Sequence, residues 1–481
     1  MQIPKDVDQT IRNWITSFEF SRTKKNMQYG EDYYRSENTE IMNRKMMIYT
    51  ENEHGVPVDM EDPYKANNKL ASGFFKLLVD QKLNYSLGKD IAFNTDNPDE
   101  IHEILGRKFQ STLKTIAKES SKKSIGWGHV YIDDKGVFKL VKIPSEQLIP
   151  LYSNIDDEEL EAVVRYYTVV SDGEPINRVE VWDKETVTYY QQNGKYGAYY
   201  LIGDKEMFDI FGRPWSNPRY HLYKSIKFGE RETQVVDMAW GEIPFIPLYN
   251  NDEEDTDLQP IKNYIDVYDV VESDFANNLE DFQDIYWILK GYQGENVGKF
   301  LEQVKRYKAL KVSEDGDAKA EKLEVPYEAR MTELKNLEDK IFTFGQGVNL
   351  NQSGDGNITN VVIRSRFANL DLKANGFELE VEDFIDRLIY FVNKYREFNN
   401  MPPIEVDGVV FNRSMIINEV ELLESNTKQK GMISEDTRLA NHPWVEDVET
   451  EVGLIKEETD NMTVTIPDIE EGEDIEPREE S

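Results

Sequence analysis

The chain has 481 residues, 39% of them hydrophobic, with 92 acidic against 56 basic side chains and a formal net charge of −36. That is apolar material for several cores rather than one, and so anionic a surface repels phosphate backbones, excluding nucleic-acid binding by bulk charge. Cysteine is absent, which excludes disulfides, thiolate metal sites and cysteine nucleophiles; an intracellular site of synthesis is expected.

From the N-terminus, Met1-Gln-Ile-Pro-Lys-Asp lacks the basic-then-apolar order of a signal peptide. Residues 5–45 read as helical, with Trp14, Phe18, Tyr29, Tyr33 and Tyr34 as packing aromatics. A polar, turn-rich segment over 51–62 leads to a helix at 67–88. Lys76, Asp80 and Lys82 interrupt its greasy run, so it is expected to be amphipathic rather than membrane-spanning, and no membrane partner is expected. A further helix is predicted over 98–123; its cations Arg107, Lys108, Lys114, Lys118, Lys122 and Lys123 read as a solvated face.

At Gly126 the pattern turns to alternation: a hairpin through Asp133-Asp-Lys-Gly136, then strands near 160–170, 177–190, 197–203 and 221–239. Two prolines in 240–249 exclude a helix there. The acidic run that follows, ending Asp252-Glu-Glu-Asp-Thr-Asp257, lacks the glycine and distal glutamate of a calcium loop and reads as a solvated linker.

The most informative segment is a predicted helix over 258–289. Ile261, Ile265, Tyr268, Val271, Phe275, Leu279, Phe282, Tyr286 and Leu289 recur at three- and four-residue steps, making one apolar face. Asp266, Asp269, Ser273, Asn277, Glu280 and Asp284 keep the same rhythm on the other side. Greasy behind and anionic in front, such a rod suits a channel wall. After Gly291 a short helix (295–306) and two strands (307–313, 318–325) form a small insert carrying Lys299, Lys305, Arg306, Lys308 and Lys311, a candidate docking patch for an acidic partner. A second helix over 328–344 completes a two-helix stalk.

Residues 345–358 hold four glycines and several amides, and read as a flexible loop with no Lys or Arg. A long helix over 359–398 follows, heptad-like in spacing, with Gly376 as a potential kink and Met401-Pro-Pro403 beyond its end. Shorter helices are expected over 413–458, and a disordered acidic tail over 459–481.

Catalytic signatures are missing. The histidines at 54, 102, 129, 221 and 442 are scattered, so His129 is expected to be structural, and no catalytic residue, metal site or cofactor is expected. Gly298-Lys299 precedes Phe300 where a phosphate loop needs Ser or Thr.

Taken in order, several fragments resemble one family. They are Tyr29-Gly-Glu-Asp-Tyr-Tyr34, then Asn67-Asn-Lys-Leu-Ala-Ser-Gly-Phe-Phe-Lys-Leu-Leu-Val-Asp-Gln-Lys82 with Tyr85 and Gly88, and Gly126-Trp-Gly-His. Ile243-Pro-Phe-Ile-Pro-Leu248, the helix/insert/helix/loop/helix series over 258–398, Gly431-Met-Ile-Ser-Glu-Asp-Thr and His442-Pro-Trp-Val445 follow. The chain resembles portal proteins of tailed bacteriophages, of the type found in long-tailed phages of Gram-positive hosts.

The resemblance implies an α+β, predominantly helical subunit with wing, stem, clip and crown regions, closing with its copies into a ring, commonly of twelve, around a central channel. By that likeness 1–257 is the wing, helical first and β-rich over 126–250. Residues 258–289 and 328–344 are stem helices, 290–327 the clip, 345–358 the tunnel loop, 359–398 the helix linking channel to wing, and 399–458 the crown. Asp266, Asp269, Glu280 and Asp284 would line the channel, while Val348, Asn349, Leu350, Asn351, Gln352, Ser353 and Asp355 would meet the DNA, Val348 and Leu350 as small apolar bumps. The implied function is a non-enzymatic conduit for double-stranded DNA entering and leaving the capsid. The implied partners are terminase, major capsid and scaffolding proteins and a head-completion adaptor. The implied place is the virion's portal vertex, reached from the host cytoplasm during assembly. Two other readings make different demands: a metal-dependent phage hydrolase or nuclease needs converging acids and a chelator-sensitive activity, and a capsid scaffold needs no channel.

Overall fold

The computed structural model describes residues 6–51, 57–62, 65–153, 159–171, 173–194, 197–203, 216–228, 232–280, 285–290, 317–322, 327–349, 359–413, 427–429, 432–440, 442, 445 and 448–463. The chain divides into two compact units, Met1–Asn351 with Asn369–Ser414, and Gln352–Ala368 with Met415–Ser481.

In the first unit, α1 (Val7–Glu19), α2 (Arg22–Tyr34) and α3 (Thr39–Met42) come first. Asp6 and Ser21 cap the first two, accepting the backbone N–H of Gln9 and Lys24 that the helices leave unpaired. Where a turn-rich segment was expected, β1 (Met47–Glu51) and β2 (Pro57–Glu61) pair as a hairpin. Next come α4 (Phe74–Leu87), β3 (Ala92–Phe93), α5 (Pro98–Leu105) and α6 (Phe109–Lys123). The single helix predicted over 98–123 is therefore two, broken where Gly106 turns to φ 74°.

The β-rich region holds β4 (Ile125–Ile132), β5 (Phe138–Ile143), β6 (Leu148–Tyr152), β7 (Leu160–Ser171), β8 (Glu174–Trp182), β9 (Thr186–Asn193), β10 (Tyr199–Leu201), β11 (Arg219–Tyr220), β12 (Leu222–Phe228), β13 (Glu232–Met238) and β14 (Phe245–Tyr249). One antiparallel sheet runs β10-β9-β8-β7-β6, with β11 also on β9; a second runs β14-β4-β5, and β12 pairs with β13. Helix α1 lies on the large sheet through Ile11, which joins Ile149, Val164, Val179 and Tyr190. Gly126 lets β4 lie flush on α6: a Cβ there would stand 2.2 Å from the Ile116 carbonyl oxygen.

Beyond the sheets stand α7 (Lys262–Glu280), β15 (Ile285–Lys290), β16 (Asp317–Lys322), α8 (Tyr327–Phe344), α9 (Asn360–Phe398) and β17 (Val409–Val410), which pairs with β3. The 258–289 helix is corrected. Its end is not helical: Ile285–Lys290 is a strand paired with β16 from Ile285↔Lys322 to Lys290↔Asp317. Short β-branched and aromatic runs satisfy a helical period and an extended one equally, and here pairing decides. The principal core joins Phe75, Leu78 and Leu83 of α4, Leu113 and Ile116 of α6, and Phe377, Val381, Phe384 and Leu388 of α9.

In the second unit, α10 (Glu435–Ala440) and α11 (Val448–Thr463) pack on each other, so helix extends five residues into the expected tail. Ser434 starts α10 by accepting the Thr437 N–H.

The cations at the end of α6 are not solvated. Lys122 and Lys123 are buried: Lys122 pairs with Glu31 at 2.7 Å and Glu119 at 3.0 Å, and Lys123 with Glu119 at 2.7 Å and Glu146 at 2.8 Å. Burial alone would raise the Glu31 carboxyl; Lys122 and Lys123 outweigh it and bring it down to about 2. A carboxylate with a lowered folded pKa stabilises fully above its unfolded value and loses that contribution as pH falls toward the folded one. Acid unfolding followed by urea titration should therefore show a Glu31-dependent loss from the ordinary 4.5 down to about 2. Glu31→Gln should flatten that limb, at a cost in stability near neutral pH.

Candidate channel helices and loop root

Helices α7 and α8 run antiparallel. Tyr264 stacks on Phe344 near one end, with ring centres 5.3 Å apart, and Phe275 meets Tyr327 near the other at 5.7 Å. Strands β15 and β16 lie between them in sequence and pair antiparallel; the helix expected over 295–306 and the strand over 307–313 lie outside the described residues.

The stripe expected to be an acidic front face is mostly the inner face of α7. Its buried positions fall every fourth residue, Ile265, Asp269, Ser273 and Asn277, continuing the step from Ile261 just before it. Against it runs residues 67–73, which precede α4 and were expected to be helical. Asn277 Oδ1 accepts the Asn68 N–H at 2.7 Å, Ser273 Oγ the Leu70 N–H at 3.0 Å, and Asp269 Oδ1 the Ser72 N–H at 2.9 Å. Four helical residues rise about 6 Å and two extended residues about 6.6 Å, so alternate backbone donors of the strap meet every fourth helix side chain. The ladder pairs groups that burial would otherwise leave unsatisfied.

Asp269 also accepts from Asn38 Nδ2. Burial raises its carboxyl, and neutral donors only partly offset that. Asp266, half-buried, accepts from the Tyr33 hydroxyl and pairs with Lys262 at 2.8 Å. Asp269 therefore cannot line a channel, and Asp266 is already neutralised within the subunit. Glu280 is exposed, accepting from Asn68 Nδ2 at 2.7 Å, and Asp284 lies outside the described residues. Helix α8 exposes Glu328 and Glu333.

The start of the 345–358 loop is equally specific. After α8 ends at Phe344, the N–H groups of Gly345 and Gly347 turn back to the carbonyls of Ile341 and Phe342, both at 2.9 Å. Gln81 of α4 then pairs with Val348 at both backbone groups. Its Nε2 donates to the carbonyl at 2.8 Å, and its Oε1 accepts the N–H at 3.1 Å. Lys373 donates to the Gly345 carbonyl at 3.0 Å, and Asn349 Nδ2 to Glu338 at 3.0 Å. Val348 is 4% exposed, so the apolar bump expected to meet DNA is a buried plug. Asn349 is tied to α8. Leu350, Asn351, Gln352, Ser353 and Asp355 lie outside the described residues, as do Lys299, Lys305, Arg306, Lys308 and Lys311.

Beneath the loop root sits Asp257, expected in a solvated linker but buried. It faces Lys82 at 2.7 Å and Lys373 at 3.1 Å and accepts from Asn250 Nδ2 at 3.1 Å. Burial opposes its charge, yet the two ammonium groups hold its carboxyl well below the usual range. Burial pulls Lys82 down to about 8 against the pull of Asp257, so it stays protonated at neutral pH. Gln81, Lys82 and Lys373 lie far in sequence from what they hold, and no local pattern marks them.

His129 is structural. Burial lowers it to about 4; it donates from Nδ1 to the Pro244 carbonyl at 2.7 Å and stacks on Phe245. Among the described residues no group of three or more His, Asp or Glu is placed to hold a metal ion, and no helix is long and apolar enough to cross a membrane.

Residues 18–463 match the phage portal protein family, SPP1 Gp6-like. The chain belongs to that family. It is 29% identical to the portal protein of Bacillus phage SPP1 over 92% of this chain and 86% of that one. It is 30% identical to the portal protein of Clostridium phage phiCD119 over 87% of this chain and 92% of that one. Chains from the necks of GTA particles also align. One, from a native particle with C12 symmetry, has a TM-score of 0.38 and 10% identity, covering 77% of this chain and 89% of that one. Another, from an empty particle with C6 symmetry, has a TM-score of 0.40 and 11% identity, covering 80% and 90%. Portal vertex function follows from the family, for which a conduit role in genome packaging is general.

The ladder makes a stability prediction. Asp269→Ala leaves the Ser72 N–H and the Asn38 amide without their buried acceptor and should cost about 1–3 kcal/mol in denaturant unfolding. Asp269→Asn should cost clearly less. It keeps an acceptor for Ser72 and adds a donor that can meet Asn38 Oδ1, which now has no hydrogen-bond partner.

Proposed function

We propose that copies of this chain close into a ring, twelve by the family's habit, whose channel carries double-stranded DNA into the capsid and later out of it. The observation that carries this reading is a stalk of two antiparallel helices running directly into a loop with an anchored root, in a chain matched to portal proteins over nearly its whole length. Residues 1–257 serve as wing, 290–327 as the clip where terminase and then the head-completion adaptor dock, and 399–458 as crown. Capsid and scaffolding proteins meet the wing. The basic residues Lys299, Lys305, Arg306, Lys308 and Lys311 make the clip the natural contact for acidic partners.

The subunit performs no catalysis in this reading; energy for translocation comes from a separate motor. A surface of net charge −36 keeps a polyanion from adhering. Of the acids first assigned to the channel, Glu280 retains that role, and exposed Glu328 and Glu333 on α8 join it. DNA is met by the loop beyond its anchored root, at Leu350, Asn351, Gln352, Ser353 and Asp355, through shape and weak hydrogen bonds.

Negative-stain images of the purified protein should show rings with a central hole about 20 Å wide or more, two helix diameters; compact particles without a hole would end this reading. Shortening the loop within 350–358 should leave rings intact and cut the DNA packaged per capsid. Packaging at the wild-type level by such rings would remove the loop from the mechanism.

A further inference from the structure

The loop root is held in a way that sets how much chain is available to move. Gln81 treats Val348 as a strand neighbour would, satisfying both its backbone groups with one side-chain amide. A Cβ at Gly347 would lie 2.1 Å from Leu78 Cδ2 and 3.0 Å from Gln81 Oε1, so a side chain there would have to displace both. Lys373 holds the Gly345 carbonyl while pairing with Asp257, whose other partner, Lys82, follows Gln81 on α4. Root, α4 and α9 are thus fastened at one place.

We propose that Gln81 is a positioning residue that fixes the working length of the DNA-contacting loop, an inference that rests on the reading of that loop given above. With the clasp closed, Val348 is held on α4 at both its backbone groups. With it open, the backbone hold retreats to Gly347, whose N–H stays on the Phe342 carbonyl, and Val348 and Asn349 add about 7 Å of reach at full stretch. Load applied by moving DNA then falls on the loose root and the end of α8 instead of on α4 and the core behind it. A loop that can extend by that much no longer meets the duplex at a fixed height in the channel.

The test uses assembled rings. Gln81→Leu keeps the side chain's bulk on half-buried α4 and removes both hydrogen bonds. Amide exchange should then speed by about fivefold or more at Val348 and its neighbours in 345–349, with α4 amides unchanged, since two hydrogen bonds are lost. DNA packaged per capsid should fall while ring yield stays the same. Gln81→Glu keeps the acceptor for the Val348 N–H and should restore protection of that amide in part. Unchanged exchange in Gln81→Leu overturns the clasp. Faster exchange with wild-type packaging overturns its positioning role, provided loop-shortened rings do package poorly. If loop-shortened rings package normally, the fault lies in the loop reading instead, and the Val348 exchange still reports on the clasp independently.

Discussion

A carboxylate kept out of water between two ammonium groups organises the first unit. Asp257 leads toward α7, Lys82 comes from the middle of α4, and Lys373 from α9. Buried charges such as Asp257 and Lys82 each cost several kcal/mol to desolvate, so neither is tolerable alone, and the partly exposed Lys373 adds a second cation to the carboxylate. Their mutual need fixes the relative placement of three elements that are remote in sequence. The aromatic face of Phe377, 4.3 Å from the Lys82 ammonium, adds a further contact that a displaced α9 would forfeit. With that junction set, Gln81 and Gly347 fall within reach of each other, and the strap at 67–73 is aimed along α7.

The α7 ladder shows how a periodic polar stripe can be read correctly as a pattern and wrongly as a surface. Asp269, Ser273 and Asn277 do recur with helical spacing, and that regularity reflects a partner with its own regular spacing. The partner is backbone, so it leaves no complementary charge in the sequence to betray it. Acceptor side chains alternating with nothing basic look like a face made for solvent or for repulsion. The same composition also suits an extended strap that offers N–H donors and needs acceptors. Two facts distinguish them: the stripe includes Ser273 and Asn277, which carry no charge, and the strap begins Asn67-Asn68, whose own side chains reach Arg44 and Glu280.

Much of the architecture was legible. The period-3.6 runs of α4, α6, α8 and α9 and the alternation from Gly126 onward come from burial of one face, which local sequence records. The break at Gly106 and the strand Ile285–Lys290 were missed for different reasons. Gly106 sits between two helical patterns in phase, and its φ of 74° becomes visible only in the backbone. Ile285–Lys290 carries residues that suit a helix face and a strand alike, and its state is decided by residues 317–322, some thirty positions away. Site residues divided along the same line. Glu280 was correctly read as exposed, whereas Val348 was read as exposed because a glycine- and amide-rich neighbourhood ordinarily is. Its backbone is held by Gln81, which lies 267 residues earlier, and Leu78 crowds the neighbouring Gly347.

The chemistry chosen for the clasp also bears on how a conduit for a polyanion can work. Exposed ion pairs weaken when a highly charged polymer and its counterions pass within a Debye length, about 8–10 Å. The loop root meets α4 through a neutral amide paired with neutral backbone, and the strap meets α7 chiefly through neutral donors and acceptors. The ionic contacts nearby, at Asp257, are buried, where ionic screening has little access. In the proposed reading the neutral Gln81 contact holds Val348 whatever the ionic strength of the channel, beside the charged Lys373 and Glu338 contacts of the same root. The loop itself, 345–358, has no Lys or Arg, which in the proposed reading leaves nothing cationic on it to hold the polymer.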